Sequence, residues 1–240
     1  MTHAPANASG ADNWFSCPAY IKENADKPRE TSLPAATGTL IHSMTEMLLK
    51  GRLIDVGLRE YWLGRTEVVE DFEIDVDESM VDCAEIYVDY ILKRQKELNA
   101  TKIIEEKLYI NEISDKCYGT ADCILIAEDR ICVIDLKSGK WPVEAVKNKQ
   151  LMIYGLGALT RYGQSNPDIT VELTIVQPRV KNPIKTFEIS APNLVNWGFT
   201  DLKEAIDACF EENPRYAFGK QCKFCKAKSY CDEYKRNSGE

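Results

Sequence analysis

The segment at residues 131–137 (ICVIDLK) most constrains the fold, because it begins as a buried strand and ends in charged residues. Together with residues 118–127 it predicts a β-hairpin that turns at residues 128–129. In the resulting register Ile124 lies opposite Val133, and Ile126 lies opposite Ile131. Both faces of the hairpin then carry apolar side chains, which predicts that these are central strands of a sheet.

The same register places Asp122 directly opposite Asp135, with Lys137 on the same face of the sheet. Two buried carboxylates repel each other, and burial without a partner is costly. One interpretation is an ordinary Asp–Lys ion pair at the end of the strand. The other is a hard divalent cation, Mg²⁺ or Mn²⁺, bound by both carboxylates and by the carbonyl of Leu136, with Lys137 beside a bound water. The hairpin residues alone leave both interpretations open.

The rest of the chain alternates between helical and extended patterns. Apolar spacing predicts helices over residues 38–50, 78–98, 142–162 and 193–210, and strands over residues 103–110, 118–127, 131–137, 170–177 and 184–189. We expect Pro142 in the first turn of the third helix, a long acidic loop between the first two helices, and a half-exposed strand at residues 170–177. This order of elements predicts an α/β fold with a mixed central sheet flanked by helices.

Two of the predicted helices carry polar residues four positions apart, which lie on one helix face. Gln150 and Tyr154 follow the charged strand, and His42 and Glu46 lie on the first helix. Each pair taken alone could be a structural feature, either a buried polar pair or a histidine satisfied in the core. The chain has only one other histidine, His3, near its N-terminus.

In this order, His42, the segment GTAD at residues 119–122, the segment DLK at residues 135–137 and the Gln150/Tyr154 pair resemble the RecB-like branch of the PD-(D/E)XK nuclease superfamily. In that branch a histidine precedes the core, and a D…(D/E)-x-K set spans a hairpin before a Q-x-x-x-Y helix. The segments GTADCILI, VIDLKSGK, NKQLMIYGLGAL and TIVQPR are also similar to a widespread phage-encoded family known only as a domain of unknown function. This similarity extends from about residue 14 to residue 231. The second acidic residue is Asp135, where glutamate is commoner.

The resemblance implies a PD-(D/E)XK restriction-endonuclease-like core that hydrolyses DNA phosphodiesters with Mg²⁺ or Mn²⁺. Lys137 would act on the attacking water, and Gln150 and Tyr154 would position the lysine or the scissile phosphate. The implied metal set is His42, Asp122, Asp135 and the carbonyl of Leu136. The implied catalytic set is Asp122, Asp135, Lys137, Gln150 and Tyr154. Glu46 is expected to be solvated or to support the site from outside.

Nine cysteines form the second notable pattern. Three of them have the spacing of metal ligands, in the order Cys222, two residues, Cys225, five residues, Cys231. Cys17, the one cysteine near the N-terminus, is the candidate fourth ligand, and its distance in sequence requires that the two chain ends meet. Four thiolates fit either tetrahedral zinc or a [4Fe–4S] cluster, and thiols buried without a metal are the plain alternative. The other five are expected to be small buried side chains: Cys83, Cys117, Cys123, Cys132 and Cys209.

One cysteine before the core and three after it also resemble the iron–sulfur nucleases, namely the CRISPR-associated RecB-like exonucleases and the AddB-type nuclease domains. This resemblance implies a [4Fe–4S] cluster rather than zinc, with a structural role in joining the chain ends. The implied organisation is one nuclease domain over residues 1–240. Its core spans about residues 38–210, and its small iron–sulfur subdomain comprises about residues 14–20 and 215–234.

The formal net charge of −8 opposes binding to nucleic acid, so a DNA partner would require a local basic patch. Two groups of lysines could supply it: Lys137, Lys140, Lys147 and Lys149 in the middle of the chain, and Lys220, Lys223, Lys226 and Lys228 near its end. Trp141 could stack on a base, although a packed aromatic residue is the expected state.

No segment reaches the roughly 18 apolar residues that a membrane-spanning helix needs, and the N-terminus lacks the basic start and apolar run of a signal peptide. We therefore expect a cytoplasmic protein, in the host cytoplasm if it is phage-encoded. The favoured function is an exonuclease that acts on DNA ends or single strands in phage DNA processing or recombination. The alternatives are a structure-dependent endonuclease and a non-catalytic iron–sulfur subunit that binds DNA or acts as a scaffold. A recombination or helicase partner and a homo-oligomer are compatible with each of these functions.

Overall fold

The computed structural model describes residues 4–25, 27, 31–53, 57–163, 166 and 168–239, so His3 lies outside the described residues. The α-helices in these ranges are α1 (Ala11–Ser16), α2 (Tyr20–Asn24), α3 (Leu33–Leu49), α4 (Leu58–Trp62), α5 (Glu78–Leu98), α6 (Lys149–Tyr162), α7 (Ala191–Trp197), α8 (Lys203–Cys209) and α9 (Asp232–Asn237). The strands are β1 (Thr66–Val69), β2 (Phe72–Asp75), β3 (Thr101–Ile110), β4 (Ser114–Ile126), β5 (Arg130–Leu136), β6 (Thr170–Val176) and β7 (Ile184–Ser190).

A five-stranded mixed sheet in the order β3-β4-β5-β6-β7 forms the centre of the fold. Only β5 and β6 are parallel; the other neighbouring pairs in this sheet are antiparallel. Helix α6 connects β5 to β6, as a parallel pair requires. The predicted mixed α/β architecture is therefore confirmed.

Each face of the sheet packs against its own layer of helices. Because side chains alternate along a strand, Ile131 and Val133 of β5 pack toward α6, whereas Ile134 and Leu136 pack toward α3 and α5. Both layers are apolar, so the middle strands are buried on both faces. Asp122 and Asp135 lie on the strand positions that face α6. Both residues are at the end of the ladder that β4 and β5 share.

Two predicted helix boundaries are wrong. Helix α3 begins at Leu33, with a proline in its first turn, rather than at residue 38. Helix α6 begins at Lys149, where the side chain of Asn148 caps the backbone N–H of Leu151 at 3.1 Å, so Pro142 lies in a loop and not in the first turn of a helix. The predicted helix over residues 78–98 is confirmed as α5.

The expected acidic loop between the first two long helices is wrong for the part of it that the structure describes. Residues 57–75 form the short helix α4 and the hairpin of β1 and β2. The predicted helix over residues 193–210 is also not continuous, since a π-helical turn (Gly198–Leu202) separates α7 from α8.

Strand β6 was expected to be half-exposed because polar and apolar residues alternate along it, but it is buried. Its polar side chains find partners inside the protein instead. Glu172 accepts hydrogen bonds from Arg94 and Arg130, and the hydroxyl of Thr174 lies 3.0 Å from that of Thr186. Polar alternation therefore reflects internal pairing here, not contact with water.

None of the helices in the described ranges combines the length and the apolar character that crossing a membrane requires.

Candidate metal centre and active site

The ends of β4 and β5 bring two carboxylates together. The ladder between these strands runs from Ile126 opposite Ile131 to Cys123 opposite Ile134, which confirms the predicted register. One position further on, Asp122 Oδ2 accepts a hydrogen bond of 2.8 Å from the backbone N–H of Leu136. The Asp122 side chain thus caps the ladder where the backbone pairing stops.

Asp135 is almost fully buried, with 3% of its side chain exposed. Lys137 Nζ lies 2.8 Å from its Oδ2, and Gln150 Nε2 donates to its Oδ1 at 3.1 Å. Burial raises the pKa of Asp135, and the nearby Asp122 charge raises it further, against the opposing effect of the Lys137 ammonium. Burial opposes the charge on Lys137 as well, but the Asp135 carboxylate outweighs it and raises the pKa of Lys137 above its usual value.

Gln150 connects the charged residues to helix α6. Its Oε1 accepts from Lys137 Nζ at 2.8 Å, and its Nε2 lies 3.2 Å from the hydroxyl of Tyr154. Tyr154 fits because Gly119 has no side chain, since a Cβ at Gly119 would lie 2.7 Å from Tyr154 Cε1. The structure therefore brings Lys137, Gln150 and Tyr154 together around Asp135.

His42 reaches the same centre from helix α3. Its Nδ1 lies 3.3 Å from Asp122 Oδ1, and 32% of its side chain is exposed. Burial disfavours the imidazolium, but the Asp122 carboxylate outweighs this effect and raises the pKa of His42 to about 9. Helix α3 can approach this closely because Gly38, one turn earlier, leaves room for Ser138; a Cβ there would lie 3.0 Å from Ser138 Oγ.

Glu105 is a residue of this site that the sequence analysis missed. It lies on β3 between Ile104, which pairs with Cys123, and Glu106, which pairs with Ala121, so it faces Asp122 across the ladder. Its φ of 54° is rare for a residue other than glycine. Burial and the Asp122 charge raise the pKa of Glu105 to about 7. Two consecutive glutamates, at residues 105 and 106 of a predicted strand, were the available signal.

These residues fit a divalent cation. Ligand atoms of His42, Glu105 and Asp122 all lie within 4.8 Å of one another, the only such group of three among the described residues. Asp135 Oδ2 is buried and, despite its ion pair with Lys137, accepts no hydrogen bond of good geometry from the described part of the chain. Carboxylate-rich sets of this kind suit Mg²⁺ or Mn²⁺. Leu136, the predicted carbonyl ligand, is the last residue of β5 and lies between the two aspartates.

Two further residues near the site are Glu46, which is ion-paired, and Trp141, which is exposed. Glu46 pairs with Lys50 at 2.8 Å one turn further along α3, as expected for a residue outside the metal shell. Trp141 was expected to be packed, and this is wrong, because 86% of it is exposed.

The two ends of the chain meet, as the cysteine spacing requires. The backbone N–H of Ala19 donates to the carbonyl of Arg215 at 3.2 Å, and Cys17 Sγ accepts from the N–H of Ala217 at 3.4 Å. Glu23 of α2 accepts hydrogen bonds from two C-terminal tyrosines, from Tyr216 at 2.5 Å and from Tyr230 at 2.7 Å.

The four candidate cysteine ligands lie in this contact region. Asn24 Nδ2 donates to Cys225 Sγ at 3.5 Å, and burial followed by the nearby Cys225 thiol raises the pKa of Cys17. No three of these sulfurs approach within 4.8 Å of one another, whereas tetrahedral Zn–S bonds of about 2.3 Å would hold all four about 3.8 Å apart. A cubane cluster binds its thiolates through four separate irons and so spreads them further apart. The five remaining cysteines are buried, as predicted.

Comparison with solved structures relates the fold to that of other proteins. A "Putative exonuclease" from Eubacterium rectale matches with a TM-score of 0.50 at 11% identity, over 96% of this chain and 87% of its own. At this identity the match shows a shared fold and nothing more. A structure of a protein designated SSO0001 covers 93% of this chain and 96% of its own at 14% identity, but its TM-score of 0.36 is too low to support an argument.

Comparison with protein families gives a match over almost the whole chain. The family model described as "Protein of unknown function (DUF2800)" matches residues 3–239. The predicted similarity to a family of unknown function is thereby confirmed, while the RecB-like and iron–sulfur resemblances stay predictions. The chain belongs to the DUF2800 family.

Proposed function

We propose that this protein is a metal-dependent nuclease that hydrolyses DNA phosphodiester bonds, and that it acts as an exonuclease on DNA ends or single strands in phage DNA processing or recombination. The observation that carries the proposal is the pair of neighbouring carboxylates, Asp122 and the almost fully buried Asp135, with Lys137 ion-paired to the second of them. The exonuclease named in the structural comparison supports the same class of reaction.

The side chains divide into those that would hold the metal and those that would act on the substrate. Asp122, Asp135, the Leu136 carbonyl and His42 would bind Mg²⁺ or Mn²⁺, with Glu105 as an additional carboxylate. The bound ion would polarise the phosphate and lower the pKa of a water molecule.

The remaining residues act through hydrogen bonds and charge. Because the pKa of Lys137 is raised, its ammonium is protonated and can donate to the phosphate and offset its charge. Gln150 holds this ammonium through its Oε1, and Tyr154 fixes the orientation of the amide from the other side. The protein thus positions a cation 2.8 Å from a metal-binding carboxylate.

A cleavage assay with isosteric variants tests the proposal. End-labelled single- and double-stranded DNA is incubated with Mn²⁺ and with the wild type, Asp135→Asn or Lys137→Met. We expect cleavage by the wild type, a loss of about 10²–10³-fold for Lys137→Met, and a loss at least as large for Asp135→Asn. Asp129→Asn is the control, because Asp129 is an exposed carboxylate just before β5 and should leave the rate unchanged.

Each outcome has a defined meaning. Absence of cleavage by the wild type, or undiminished cleavage by both site variants, would refute the nuclease function. Terminal products would indicate an exonuclease and internal products a structure-dependent endonuclease. DNA binding without cleavage would favour the non-catalytic subunit.

We further propose that Cys17, Cys222, Cys225 and Cys231 bind a [4Fe–4S] cluster, with zinc as the less favoured occupant. The metal-ligand spacing of the three C-terminal cysteines and the meeting of the chain ends support a four-thiolate centre, and the resemblance to iron–sulfur nucleases favours iron over zinc. The cluster would join the N-terminal segment to the C-terminal segment and would take no part in the reaction.

A further inference from the structure

The loop between β5 and α6, residues 137–148, presents an unusual tryptophan. Trp141 is 86% exposed, more than any other large hydrophobic residue in the described part of the chain. Trp14 and Trp62, in contrast, are 1% and 5% exposed. The loop begins directly after Asp135 and Leu136 of the candidate metal centre, so the exposed indole follows that centre in the chain.

The backbone on both sides of Trp141 is held by one buried side chain. Gln177, 1% exposed, donates from Nε2 to the carbonyls of Gly139 at 2.9 Å and of Trp141 at 2.7 Å. Its Oε1 accepts from the N–H of Val143 at 2.9 Å. In these three hydrogen bonds the Gln177 amide is both donor and acceptor. Together they fix the position of Trp141 relative to the sheet.

Two basic residues after β6 fix the same loop at other points. Arg179 Nη1 donates to the carbonyl of Ser138 at 3.1 Å, and Lys185 Nζ donates to the carbonyl of Val143 at 3.0 Å. The exposure of Trp141 therefore does not arise from a loosely held loop. A rigid support keeps an apolar ring in water, which costs free energy that a packed ring would recover.

The charge around Trp141 identifies what the ring can contact. Lys140 and Lys147 of the same loop are exposed, and Trp141 is four residues from Lys137, so their Cα atoms are at most about 14 Å apart. The loop itself holds three lysines and one acidic residue, Glu144, which pairs with Lys185 at 2.6 Å, so the loop is basic within a protein of net charge −8. Alternating aromatic faces and lysines are the features that bind single-stranded nucleic acid, through base stacking and phosphate contacts.

We infer that Trp141 is a stacking platform for an unpaired DNA base, next to a phosphate held at the metal centre. Paired bases inside a duplex are covered on both faces by their neighbours, so the ring can stack only on a single strand or on a frayed or terminal base. The inference rests on the proposed nuclease function and deepens it, because it assigns single-stranded DNA as the preferred substrate.

A binding assay without catalysis tests the inference. Labelled oligothymidylate of about 12 nucleotides and a labelled blunt-ended hairpin are titrated with the full-length protein in EDTA and in Ca²⁺, with fluorescence anisotropy as the readout. The variants are Trp141→Leu, which keeps an apolar side chain without a ring, and Trp141→Phe, which keeps an aromatic face. Phe224→Leu is the matched control, since Phe224 is an exposed aromatic residue of the C-terminal segment.

The expected loss of affinity depends on two things: whether the DNA is single-stranded, and whether residue 141 is aromatic. Trp141→Leu should bind the oligothymidylate at least about fivefold more weakly than the wild type, and Trp141→Phe should stay within about twofold. Trp141→Leu should weaken hairpin binding by less than about twofold, because the hairpin offers the ring only its terminal base pair and its short loop, and Phe224→Leu should match the wild type on both DNAs. In the wild type, oligothymidylate should quench tryptophan emission, and Trp141→Phe should abolish this quenching.

The results that would overturn the inference are separate from those that would overturn the nuclease function. Unchanged oligothymidylate binding by Trp141→Leu, or an equal loss on the hairpin, would refute the stacking role even if the protein cleaves DNA in Mn²⁺. The stacking role would also be refuted if the wild type bound neither of the two DNAs, whether in EDTA or in Ca²⁺. The nuclease function is refuted instead by the cleavage assay, either by absent Mn²⁺-dependent cleavage or by undiminished cleavage in both site variants.

Discussion

Glu105 combines a left-handed backbone with a side chain that faces Asp122 and His42. Residues held in sparsely populated backbone regions persist only where the surrounding structure determines them, and they concentrate at functional sites. The carboxylate adds negative charge to a centre that already holds Asp122, and burial together with repulsion from Asp122 raises the pKa of Glu105 to about 7. A divalent cation would remove the conflict.

The Glu105→Gln variant tests separately whether the Glu105 charge destabilises the metal-free protein and whether Glu105 binds the metal. The pKa of Glu105 is raised from 4.5, so in metal-free protein the ionised carboxylate destabilises the fold as pH rises toward 7. At about pH 8 in EDTA the variant should therefore have a higher Tm than the wild type, and this advantage should shrink toward pH 5. Added Mn²⁺ should raise the Tm of the wild type more, because it offers one more ligand.

The control is Glu106→Gln on the same strand, where Glu106 pairs with Arg161 at 3.0 Å instead of facing the site. It should show neither the pH-dependent advantage nor the weaker response to Mn²⁺. Thermal unfolding with and without Mn²⁺ measures both effects. An equal Mn²⁺ response in Glu105→Gln and the wild type would exclude Glu105 as a ligand.

The sequence located most site residues but not Glu105, and the reason is physical. Alternation along the hairpin determines its register, and the register places Asp122 at the end of β5 next to Asp135. The spacing of four on a helix then places Gln150 and Tyr154 on one face. The position of the Glu105 side chain in the site depends on the pairing of β3 with β4 and on a positive φ at this residue. No residue type in the sequence requires that φ.

At the scale of elements, the loop before α6 shows how tertiary contacts override a local pattern. Residues 142–148 begin with proline and carry apolar residues at helical spacing, and they were predicted as the first two turns of the helix. Gln177 instead binds the backbone of Gly139, Trp141 and Val143, and Asn148 supplies the cap from which α6 starts. A buried amide just after β6 and the Asn148 cap therefore determine together where the helix begins.

The Gln177→Met variant keeps the size of the side chain and removes all three hydrogen bonds. We expect a loss of about 1–3 kcal/mol in the free energy of unfolding, because the backbone groups of the loop lose their partners. Amide hydrogen exchange should accelerate at residues 138–148 and stay slow in β4 and β5. Gln95→Met, which removes one side-chain bond to the carbonyl of Ala100, serves as the control and should leave this loop protected. Unchanged exchange in the loop would contradict its support by Gln177.

At the scale of the whole molecule, the fold closes by bringing the segment before α3 against the segment after α8. Glu23, Asn24 and Cys17 all contact residues about 200 positions later in the chain. Contacts between such distant segments cost loop-closure entropy, which these hydrogen bonds and the packing of Trp14 and Phe15 into the core offset. A metal centre bound by both segments would stabilise this closure further, because it binds the folded state alone.

The cluster proposal predicts a visible property of the purified protein. Protein purified without oxygen should be brown and contain about four irons per chain, and Cys222→Ala should lose the colour, lower the Tm and expose the segment after α8 to proteolysis. Cys132→Ala is the control, since Cys132 is a buried thiol of the central sheet and its loss should leave the colour unchanged.

A colourless wild type with stoichiometric zinc would overturn the assignment to iron, and a metal-free wild type with the same Tm as Cys222→Ala would overturn the metal centre itself. Either result would leave the carboxylate centre at Asp122 and Asp135 untouched, because that centre is built from the sheet and from α3 and α6, not from the chain ends.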